Sequence, residues 1–148
     1  MKTKFFCMAV IAILLASLQP ANAWREKIIT VAQLPTQAQT VLKRHFKSQQ
    51  PVLVKQELEG MRISYDVVFA DGSKVEFDAK GEWTEIDCTR SAVPSALIPS
   101  QILSFVKRTY PGVFITQIDR DPYGYDVDLS NGLEIEFDKA FRVRDIDD

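Results

Sequence analysis

The sequence predicts an α+β fold built from two tandem units, each with one helix followed by four antiparallel strands, and with both helices on one face of the sheet. Two observations predict this fold. Each unit begins with apolar residues at helical spacing and then changes to alternation with a period of two. In addition, residues 65–88 align without gaps to residues 125–148 at an offset of 60, with nine identical pairs: Tyr65/Tyr125, Asp66/Asp126, Val67/Val127, Gly72/Gly132, Glu76/Glu136, Phe77/Phe137, Asp78/Asp138, Ile86/Ile146 and Asp87/Asp147.

The first 23 residues have the three parts of a secretory signal peptide. Lys2 and Lys4 precede an apolar run over residues 5–18, and Ala21-Asn22-Ala23 is a small-x-small cleavage site. The apolar run is too short for a stable membrane span. We therefore expect a Sec-type signal cleaved after Ala23 and a periplasmic or secreted mature chain with no stable membrane anchor. An uncleaved N-terminal anchor is the alternative.

The composition of the mature chain limits its partners. Removing Lys2 and Lys4 from 18 basic residues leaves 16 against 20 acidic residues, a net charge of −4. This charge predicts that nucleic acid is not a partner. Cys88 is the only cysteine after cleavage, so no disulfide forms within one mature chain and stability must come from a packed core. The thiol is either a buried small residue or the link of a Cys88-linked dimer in an oxidising compartment.

Each unit opens with an amphipathic helix. The segments "LPTQAQTVLKRHF" and "IPSQILSFVKRTY" carry apolar residues at positions 0, +4, +7, +8 and +12, which form one helical face. Pro35 and Pro99 suit the start of a helix, where a missing N–H costs nothing. Thr36 and Ser100 are predicted to cap the helices with their hydroxyl groups.

Four strands follow each helix. In the first unit Tyr65, Val67 and Phe69 alternate with polar residues, Asp71-Gly72 marks a tight turn, and the second unit repeats the pattern around Asn131-Gly132. A less regular strand precedes each pair, and a final strand follows it. In the final strands the apolar residues fall out of alternation, which predicts a β-bulge in both units.

The units are predicted to share one sheet. We place the first unit at residues 24–88, a connector at 89–97 and the second unit at 98–148. The connector contains Pro94 and is too short for a free linker, so we expect the units to pack side by side in one continuous sheet. One face of that sheet is then left uncovered by helices.

The quoted helix starts and the segments "YDVVFADGSKVEFDAKGEWTEID" and "YDVDLSNGLEIEFDKAFRVRDID" resemble the PepSY-like family of exported bacterial proteins. The family's fold is similar to that of the beta-lactamase inhibitory protein, and the resemblance covers residues 29–148. It implies an exported Gram-negative protein with tandem helix-plus-four-strand units, and it brings no catalytic residues. One departure is Phe141, which replaces the turn glycine Gly81 of the first unit. This predicts a last turn of different shape in the second unit.

The sequence offers no catalytic constellation. His45 is the only histidine, which excludes a histidine-based triad or a multi-histidine metal site within one chain. The sequence also lacks a glycine-rich phosphate loop and a CxxC pair. We therefore predict that the protein is not an enzyme, and a hydrolase or transferase is a disfavoured third hypothesis.

Carboxylates are concentrated on the sheet face that lies opposite the predicted helices. Alternation with a period of two places five carboxylates of the second unit on this face: Asp126, Asp128, Glu134, Glu136 and Asp138. The equivalent positions of the first unit carry less negative charge: Asp66, Val68, Lys74, Glu76 and Asp78. Such carboxylates repel one another unless solvent or a cation screens them. An ordinary solvated sheet face explains the pattern as well as a docking surface does.

We predict a non-catalytic binding or inhibitor-like module that docks an unidentified protein or peptide through this acidic face, without a cofactor. The alternative is a calcium-binding or calcium-responsive envelope protein, with calcium at Asp126 and Asp128. Further carboxylates that suit calcium follow nearby: Asp119, Asp121, Asp145, Asp147 and Asp148. The stretch that begins at Asp126 does not match an EF-hand loop.

Overall fold

The computed structural model describes residues 25–148, and the predicted signal peptide and its cleavage site lie outside these residues. The described chain is an α+β protein with two α-helices, two short 3₁₀ helices and nine strands. The 3₁₀ helices are Val31–Gln33 and Ser95–Leu97. The elements, in chain order, are β1 Arg25–Ile28, α1 Thr36–His45, β2 Pro51–Glu59, β3 Arg62–Phe69, β4 Lys74–Asp78, β5 Trp83–Asp87, α2 Ser100–Thr109, β6 Ile115–Arg120, β7 Gly124–Leu129, β8 Glu134–Asp138 and β9 Val143–Asp147.

The nine strands form one antiparallel sheet in sequence order, so each strand pairs with the next one along the chain. The sheet continues from β5 to β6, where Ile86 lies opposite Ile118. The sequence predicted eight strands, and β1 is an addition that pairs with β2 from Arg25↔Leu58 to Ile28↔Lys55. All four residues of β1 are exposed. Such a strand carries no alternation of buried and exposed positions, which explains why the period-two pattern missed it.

The helices begin one residue earlier than the capping prediction required. Pro35 and Pro99 occupy the N-cap positions, and neither α1 nor α2 has a side-chain cap hydrogen bond. The prediction that Thr36 and Ser100 cap these helices was therefore wrong, because both residues already lie in the first helical turn. No helix within residues 25–148 is long and apolar enough to cross a membrane.

The core is organised around one row of aliphatic side chains. Residues that lie directly opposite each other in antiparallel strands share a face of the sheet. Six such residues follow one another across β3 to β8 with no exposed surface, and we call them the core row: Val67, Val75, Ile86, Ile118, Val127 and Ile135.

Two aromatic contacts lie on the face of the sheet that carries the core row. Phe46, which ends α1, stacks on Phe69 with ring centroids 5.3 Å apart. In the second half, Phe105 of α2 meets Phe137 edge to face at 5.5 Å. Phe69 and Phe137 each lie two residues from a member of the core row, so they share its face.

Both final strands contain the predicted bulge. The register shifts between Glu76 and Phe77 in the β4–β5 pair, and between Glu136 and Phe137 in the β8–β9 pair. The extra residue is Thr84 in β5 and Arg144 in β9. After the bulge, Glu85 lies opposite Glu76 and Asp145 lies opposite Glu136. The bulges therefore add one carboxylate of the final strand to the face opposite the core row.

The last turns of the two halves have the same shape, so the prediction of a different turn at Phe141 was wrong. Gly81 has φ +85° and Phe141 has φ +60°, both in the left-handed region. The backbone N–H of each donates to the carbonyl of the aspartate three residues earlier, at 2.9 Å in both cases. Phe141 adopts this conformation despite its Cβ atom, and its ring stacks on Tyr125 with centroids 5.5 Å apart.

Candidate functional site

Seven acidic residues lie side by side across β3 to β9, in direct cross-strand register. We call them the acidic row: Asp66, Glu76, Glu85, Asp119, Asp126, Glu136 and Asp145. Each one is a sequence neighbour of an inward-facing aliphatic residue, so alternation places it on the other face of the sheet, the open face. Directly opposite Cβ atoms in such pairs are about 5 Å apart. The row therefore brings like charges close together along the whole width of the sheet.

A second row runs parallel to the acidic row on the open face. It consists of Val68, Lys74, Asp87, Gln117, Asp128, Glu134 and Asp147. Its single cation, Lys74, belongs to the first half. From Asp87 onwards the residues are acidic or amide, so the negative charge of the open face increases towards β9.

Cations compensate the acidic row only at its first end. The Lys55 Nζ atom contacts Glu57, lies 3.2 Å from Glu26 Oε1 and lies 3.4 Å from Asp66 Oδ2. Hydrogen bonding to Glu57 is the largest cause that raises the pKa of Lys55. Lys74 Nζ donates to Glu85 Oε2 at 2.9 Å.

The other end of the row has no such compensation. Within residues 25–148, none of the row members from Asp119 to Asp145 has a cationic side-chain nitrogen within 4.0 Å. Asp119 is the first of them, and it accepts a hydrogen bond from Gln117 Nε2 at 2.9 Å. This amide is a neutral donor and leaves the charge of the row unchanged.

The pKa values of the row reflect burial and crowding. The pKa of Asp119 is raised to about 6, with burial as the largest cause. The hydrogen bond from Gln117 lowers this pKa, and the nearby charges of Glu85, Asp126 and Asp128 raise it. Burial is also the largest cause that raises the pKa values of the carboxyl groups Asp66, Glu76, Asp126 and Asp128. At Asp126 the charge of Arg144 opposes these causes, without an ion pair between the two side chains. A positive group placed against this face would favour the charged forms of these carboxyl groups.

The centre of the open face is a shallow depression of about 300 Å³. It lies between two arginines and is lined by Arg62, Glu76, Thr84, Glu85, Asp119, Arg120, Asp121 and Asp126. The Arg120 guanidinium lies 4.5 Å from the centre of the Trp83 ring and donates to the Trp83 carbonyl. The lining has five carboxyl groups against two guanidinium groups, so the depression has an excess of acidic groups. Its open shape suits contact with a surface better than enclosure of a small molecule.

Six of the eight predicted site residues lie in the two rows of the open face. Asp66, Glu76, Asp126 and Glu136 are in the acidic row, as described above. Asp128 and Glu134 are in the second row, directly opposite each other.

The other two predicted site residues stabilise turns. The Asp78 Oδ1 atom accepts the N–H groups of Lys80 and Glu82, and Asp138 Oδ1 accepts those of Ala140 and Arg142 in the same way. The backbone hydrogen bond from Arg142 is the main cause that lowers the pKa of Asp138. Both carboxylates therefore accept hydrogen bonds from the backbone of the turns that follow them.

Glu85 and Asp119 are central to the row, and the binding-site prediction from sequence contained neither of them. Asp119 appeared only among the calcium candidates. Glu85 was missed because the bulge at Thr84 breaks the alternation of β5, and only the β5–β6 pairing reveals that Glu85 lies opposite Asp119. The offset of 60 between Glu85 and Asp145 is the sequence signal that could have identified both final-strand members.

The carboxylates do not form a ready-made metal site. No group of three or more histidine, cysteine, aspartate or glutamate side chains in the described range 25–148 is arranged to hold a metal ion. Asp126 and Asp128, the predicted calcium ligands, share the open face two residues apart on β7. Calcium takes six to eight oxygen ligands, so binding at this pair needs other side chains or water to complete the shell.

Cys88 is buried, with 2% of its surface exposed. Burial raises the pKa of its thiol to about 11, with smaller contributions from Asp87 and Asp71. Because the thiolate is the reactive form, this thiol is poorly placed to react in the folded chain. The Cys88-linked dimer stays a prediction that requires local opening.

Comparisons with known proteins point to one family. The family described as "Putative beta-lactamase-inhibitor-like, PepSY-like" matches residues 63–145. A solved structure of a "putative periplasmic protein from DUF2874 family" from Bacteroides vulgatus is 47% identical, with a TM-score of 0.82, and the match covers 83% of this chain and 97% of that one. A "putative calcium-regulated periplasmic protein" from Bacteroides thetaiotaomicron is 43% identical, with a TM-score of 0.81 and the same coverage.

A third solved structure, a "putative periplasmic protein of unknown function" from Bacteroides vulgatus, is 36% identical, with a TM-score of 0.79 and coverage of 84% of this chain and 100% of that one. No curated protein matches the chain. The three structures are described as periplasmic, which supports a periplasmic location, and none of these descriptions gives a catalytic activity. The family match covers more than half of the chain, and the chain belongs to the PepSY-like family.

Proposed function

We propose that this chain is a non-catalytic periplasmic binding module whose open face docks a basic protein or peptide. The observation that carries the proposal is the acidic row, in which seven carboxylates lie in cross-strand register and cations compensate only the end near β2. An ordinary solvated face intersperses charges of both signs. Here, within residues 25–148, the row members from Asp119 to Asp145 form no ion pair, although Arg142 pairs with Asp138 beside the row and the charge of Arg144 acts on Asp126.

Electrostatic complementarity explains how such a face would bind. Lysine or arginine side chains of a partner would form charge-assisted hydrogen bonds with the row and relieve the repulsion among its members. Clustered charge of one sign also steers a partner of opposite charge and raises the association rate. The raised pKa values of Asp119 and Asp126 show that burial and crowding disfavour the charged forms of these groups, so a partner's cations would stabilise those forms.

Hydrolysis is the function that the same residues would next suggest. Glycosidases use two carboxyl groups that flank the scissile bond, and Asp119 opposite Glu85 is a pair of this chemical type. However, these two residues are not set apart, because the row continues on both sides with further carboxylates. The open depression also offers little to position a substrate, so binding is the better supported function.

We infer that the two halves arose by tandem duplication and that both helices cover the same face. The equal order of helix and strands, the bulges at Thr84 and Arg144, and the matching turns at Gly81 and Phe141 support this inference. The units would then correspond to residues 24–88 and 98–148. Export with cleavage after Ala23 belongs to the same proposal, and the intact mass of protein purified from the periplasm tests it.

The docking proposal is tested with two variants that remove the same charge. The row variant carries Asp126→Asn with Glu136→Gln, and the control carries Glu59→Gln with Asp148→Asn, which are exposed positions outside the row. Each protein is used to capture partners from periplasmic extract, and the affinity of each purified partner is then measured at two salt concentrations.

We expect a basic partner that binds the wild type and the control, binds the row variant at least tenfold more weakly, and loses affinity as salt increases. Cross-links from the partner should map to β6–β8 of the open face. Equal affinity for the row variant and the control would contradict docking through the acidic row.

A calcium-responsive function is the second candidate. It is favoured by the 43% identical neighbour that is described as calcium-regulated. It is also favoured by four carboxylates of β7 and β8 that form no ion pair within residues 25–148: Asp126, Asp128, Glu134 and Glu136. The test is thermal unfolding of chelator-treated protein during titration with calcium, with magnesium as control. A site filled at about a thousand times its dissociation constant adds about 4 kcal/mol of stability.

A saturable, calcium-selective rise that Asp126→Ala with Asp128→Ala abolishes would support this candidate. A melting midpoint that calcium leaves unchanged would contradict this candidate.

A further inference from the structure

The free edge of β9 is a second surface that a partner can use. We propose that β9 takes up an extended peptide segment as a tenth, antiparallel strand. The segment would place an aliphatic residue opposite Ile146 and lysine or arginine opposite Asp145 and Asp147. This inference concerns the edge of the sheet and does not rest on the docking function proposed for the open face.

Strand β5 shows how such an edge is covered. Sixty residues before β9, it carries the same side-chain order, with Glu85, Ile86 and Asp87 in place of Asp145, Ile146 and Asp147. In β5 these residues lie opposite Asp119, Ile118 and Gln117 of β6, and the Cys88 N–H donates to the Thr116 carbonyl at 2.9 Å. In β9 the corresponding position is open, since β8 is its only paired neighbour within residues 25–148.

The open position leaves apolar surface in contact with solvent. Ile86 has no exposed surface, whereas Ile146 is 42% exposed. Likewise Trp83 is 8% exposed and its counterpart Val143 is 38% exposed. Both exposed side chains lie on the face of the core row, because Val143 is opposite Phe137 and Ile146 is opposite Ile135. An aliphatic side chain on an added strand would cover Ile146 as Ile118 covers Ile86.

The backbone of β9 also has a donor directed at the edge. The Ile146 N–H donates to the Asp145 side chain, with 3.0 Å between N and Oδ1. This short-range bond to the preceding residue shows that the donor is not used by β8. Unpaired N–H and C=O groups along an edge strand are a template for pairing with another chain. The bulge at Arg144 does not protect this segment, because the equivalent bulge at Thr84 lies beside the β5–β6 pairing.

Charge complementarity selects a basic strand as the occupant and disfavours a second copy of this chain. Pairing of two β9 strands about Ile146 would place Asp145 of one copy opposite Asp147 of the other. A second copy's β1 would bring Glu26, which shares the open face with Lys55 through the register of β1 and β2. Like charges directly opposite each other destabilise a strand pair. A segment with basic residues on either side of an aliphatic one has the opposite charge on the open face.

The test uses a peptide derived from β6, the strand that covers β5. The probe comprises residues 113–121 with Gln117→Lys and Asp119→Lys, so that its basic residues flank Ile118. The 3.0 Å hydrogen bond to Asp145 indicates that the Ile146 N–H is directed at the edge. In the β5–β6 register, Ile118 of the probe lies opposite Ile146 and exchanges backbone hydrogen bonds with it. A second probe carries an N-methyl group on that Ile118 amide, and a third carries glutamate at positions 117 and 119.

NMR titration of the isotope-labelled full protein should show saturable changes at residues 145–148 with the lysine probe. The N-methylated probe and the glutamate probe should each bind at least tenfold more weakly. Asp145→Lys with Asp147→Lys should reverse the preference, so that the glutamate probe binds at least tenfold more tightly than the lysine probe. Both positions are exposed, and the dispersion of the spectrum verifies that this variant is folded.

Two outcomes would overturn the inference. One is equal binding of the N-methylated and unmodified probes, because it would exclude backbone pairing at the edge. The other is a set of changes confined to residues 119, 126 and 136, which would place the peptide on the open face. That second outcome would contradict the edge site and still support the proposed function. Conversely, equal partner affinity for the row variant and its control, with intact peptide binding at β9, would contradict only the proposed function.

Discussion

Strands β5 and β9 occupy equivalent places in the two halves, with Ile86 and Ile146 sixty residues apart in the chain. Each isoleucine lies opposite an inward-facing residue at the equivalent position, Val75 for Ile86 and Ile135 for Ile146. Ile86 is fully buried, whereas Ile146 is 42% exposed. The comparison shows that the neighbour on the far side of the strand determines burial here. β6 supplies that neighbour for β5.

The two halves also differ in charge at equivalent places on the open face. Lys55 lies opposite Asp66 in the first half, and Asp119 lies opposite Asp126 at the same place in the second half. A second difference lies sixty residues apart in the chain, where Lys74 of the first half corresponds to Glu134 of the second half. Since both halves form the same strands, the excess of negative charge in the second half is not needed for folding. This supports the interpretation that the excess serves binding.

The largest effect is expected from truncating the two isoleucines. Ile86→Ala should cost about 2–5 kcal/mol, since it removes a fully buried side chain from the core row. Ile146→Ala should cost under about 1 kcal/mol, since the side chain is already partly solvated. Urea unfolding of both variants measures the difference. Equal losses would show that β9 is covered in solution, for example by self-association.

The turns at Gly81 and Phe141 should differ in their sensitivity to substitution. A Cβ atom at Gly81 would lie 2.8 Å from the Pro35 Cβ and 2.9 Å from the Ala38 N, and φ is positive, so Gly81→Ala should cost about 2 kcal/mol. Phe141→Gly removes the left-handed strain of about 1 kcal/mol and loses stacking on Tyr125 of similar size. Its net change should therefore be close to zero. A large loss for Phe141→Gly in thermal unfolding would mean that the stacking dominates.

Acid should stabilise the protein through Asp119. The folded pKa of about 6 lies above the ordinary 3.8, so the folded state binds a proton more readily than the unfolded state. Stability should rise as pH falls from about 7 towards 4, and it should be lost again as the pH rises through 6. Asp119→Asn should raise the melting midpoint at pH 7.5 by about 2–4 °C and flatten the pH profile.

The control for this prediction is Asp145→Asn, which changes an exposed member of the same row. It should leave the pH profile as steep as in the wild type. An Asp119→Asn profile that is equally steep would show that other carboxyl groups carry the pH dependence.

The smallest effect is expected from exchanging the charges at positions 74 and 134. Glu134→Lys should stabilise the protein by about 0.5 kcal/mol, since it supplies the lysine that the first half already has. It should also lower the pKa of Asp126, which the charge of Glu134 raises. Lys74→Glu should destabilise by a similar amount, because it removes the partner of Glu85. Carboxyl NMR titration and urea unfolding measure both effects, and an unchanged Asp126 pKa in Glu134→Lys would contradict the electrostatic interpretation.

The local pattern of the sequence determined the α+β class, both helices, eight of the nine strands and the bulges in the final strands. Each of these features depends on residues within one element or on a turn such as Asp71-Gly72. The period of the apolar residues also determined which face each side chain takes, so six of the eight predicted site residues lie in the two rows. Asp78 and Asp138 share that face, but their carboxylates hold the following turns.

Only the tertiary structure decided which side chains become neighbours across the sheet. The pairing of β5 with β6 places Glu85 opposite Asp119 and joins the carboxylates of both halves into one row. It also buries Ile86 and leaves Ile146 partly exposed. The physical reason is that a strand's own alternation specifies its faces, whereas its partner and register depend on where the rest of the chain packs.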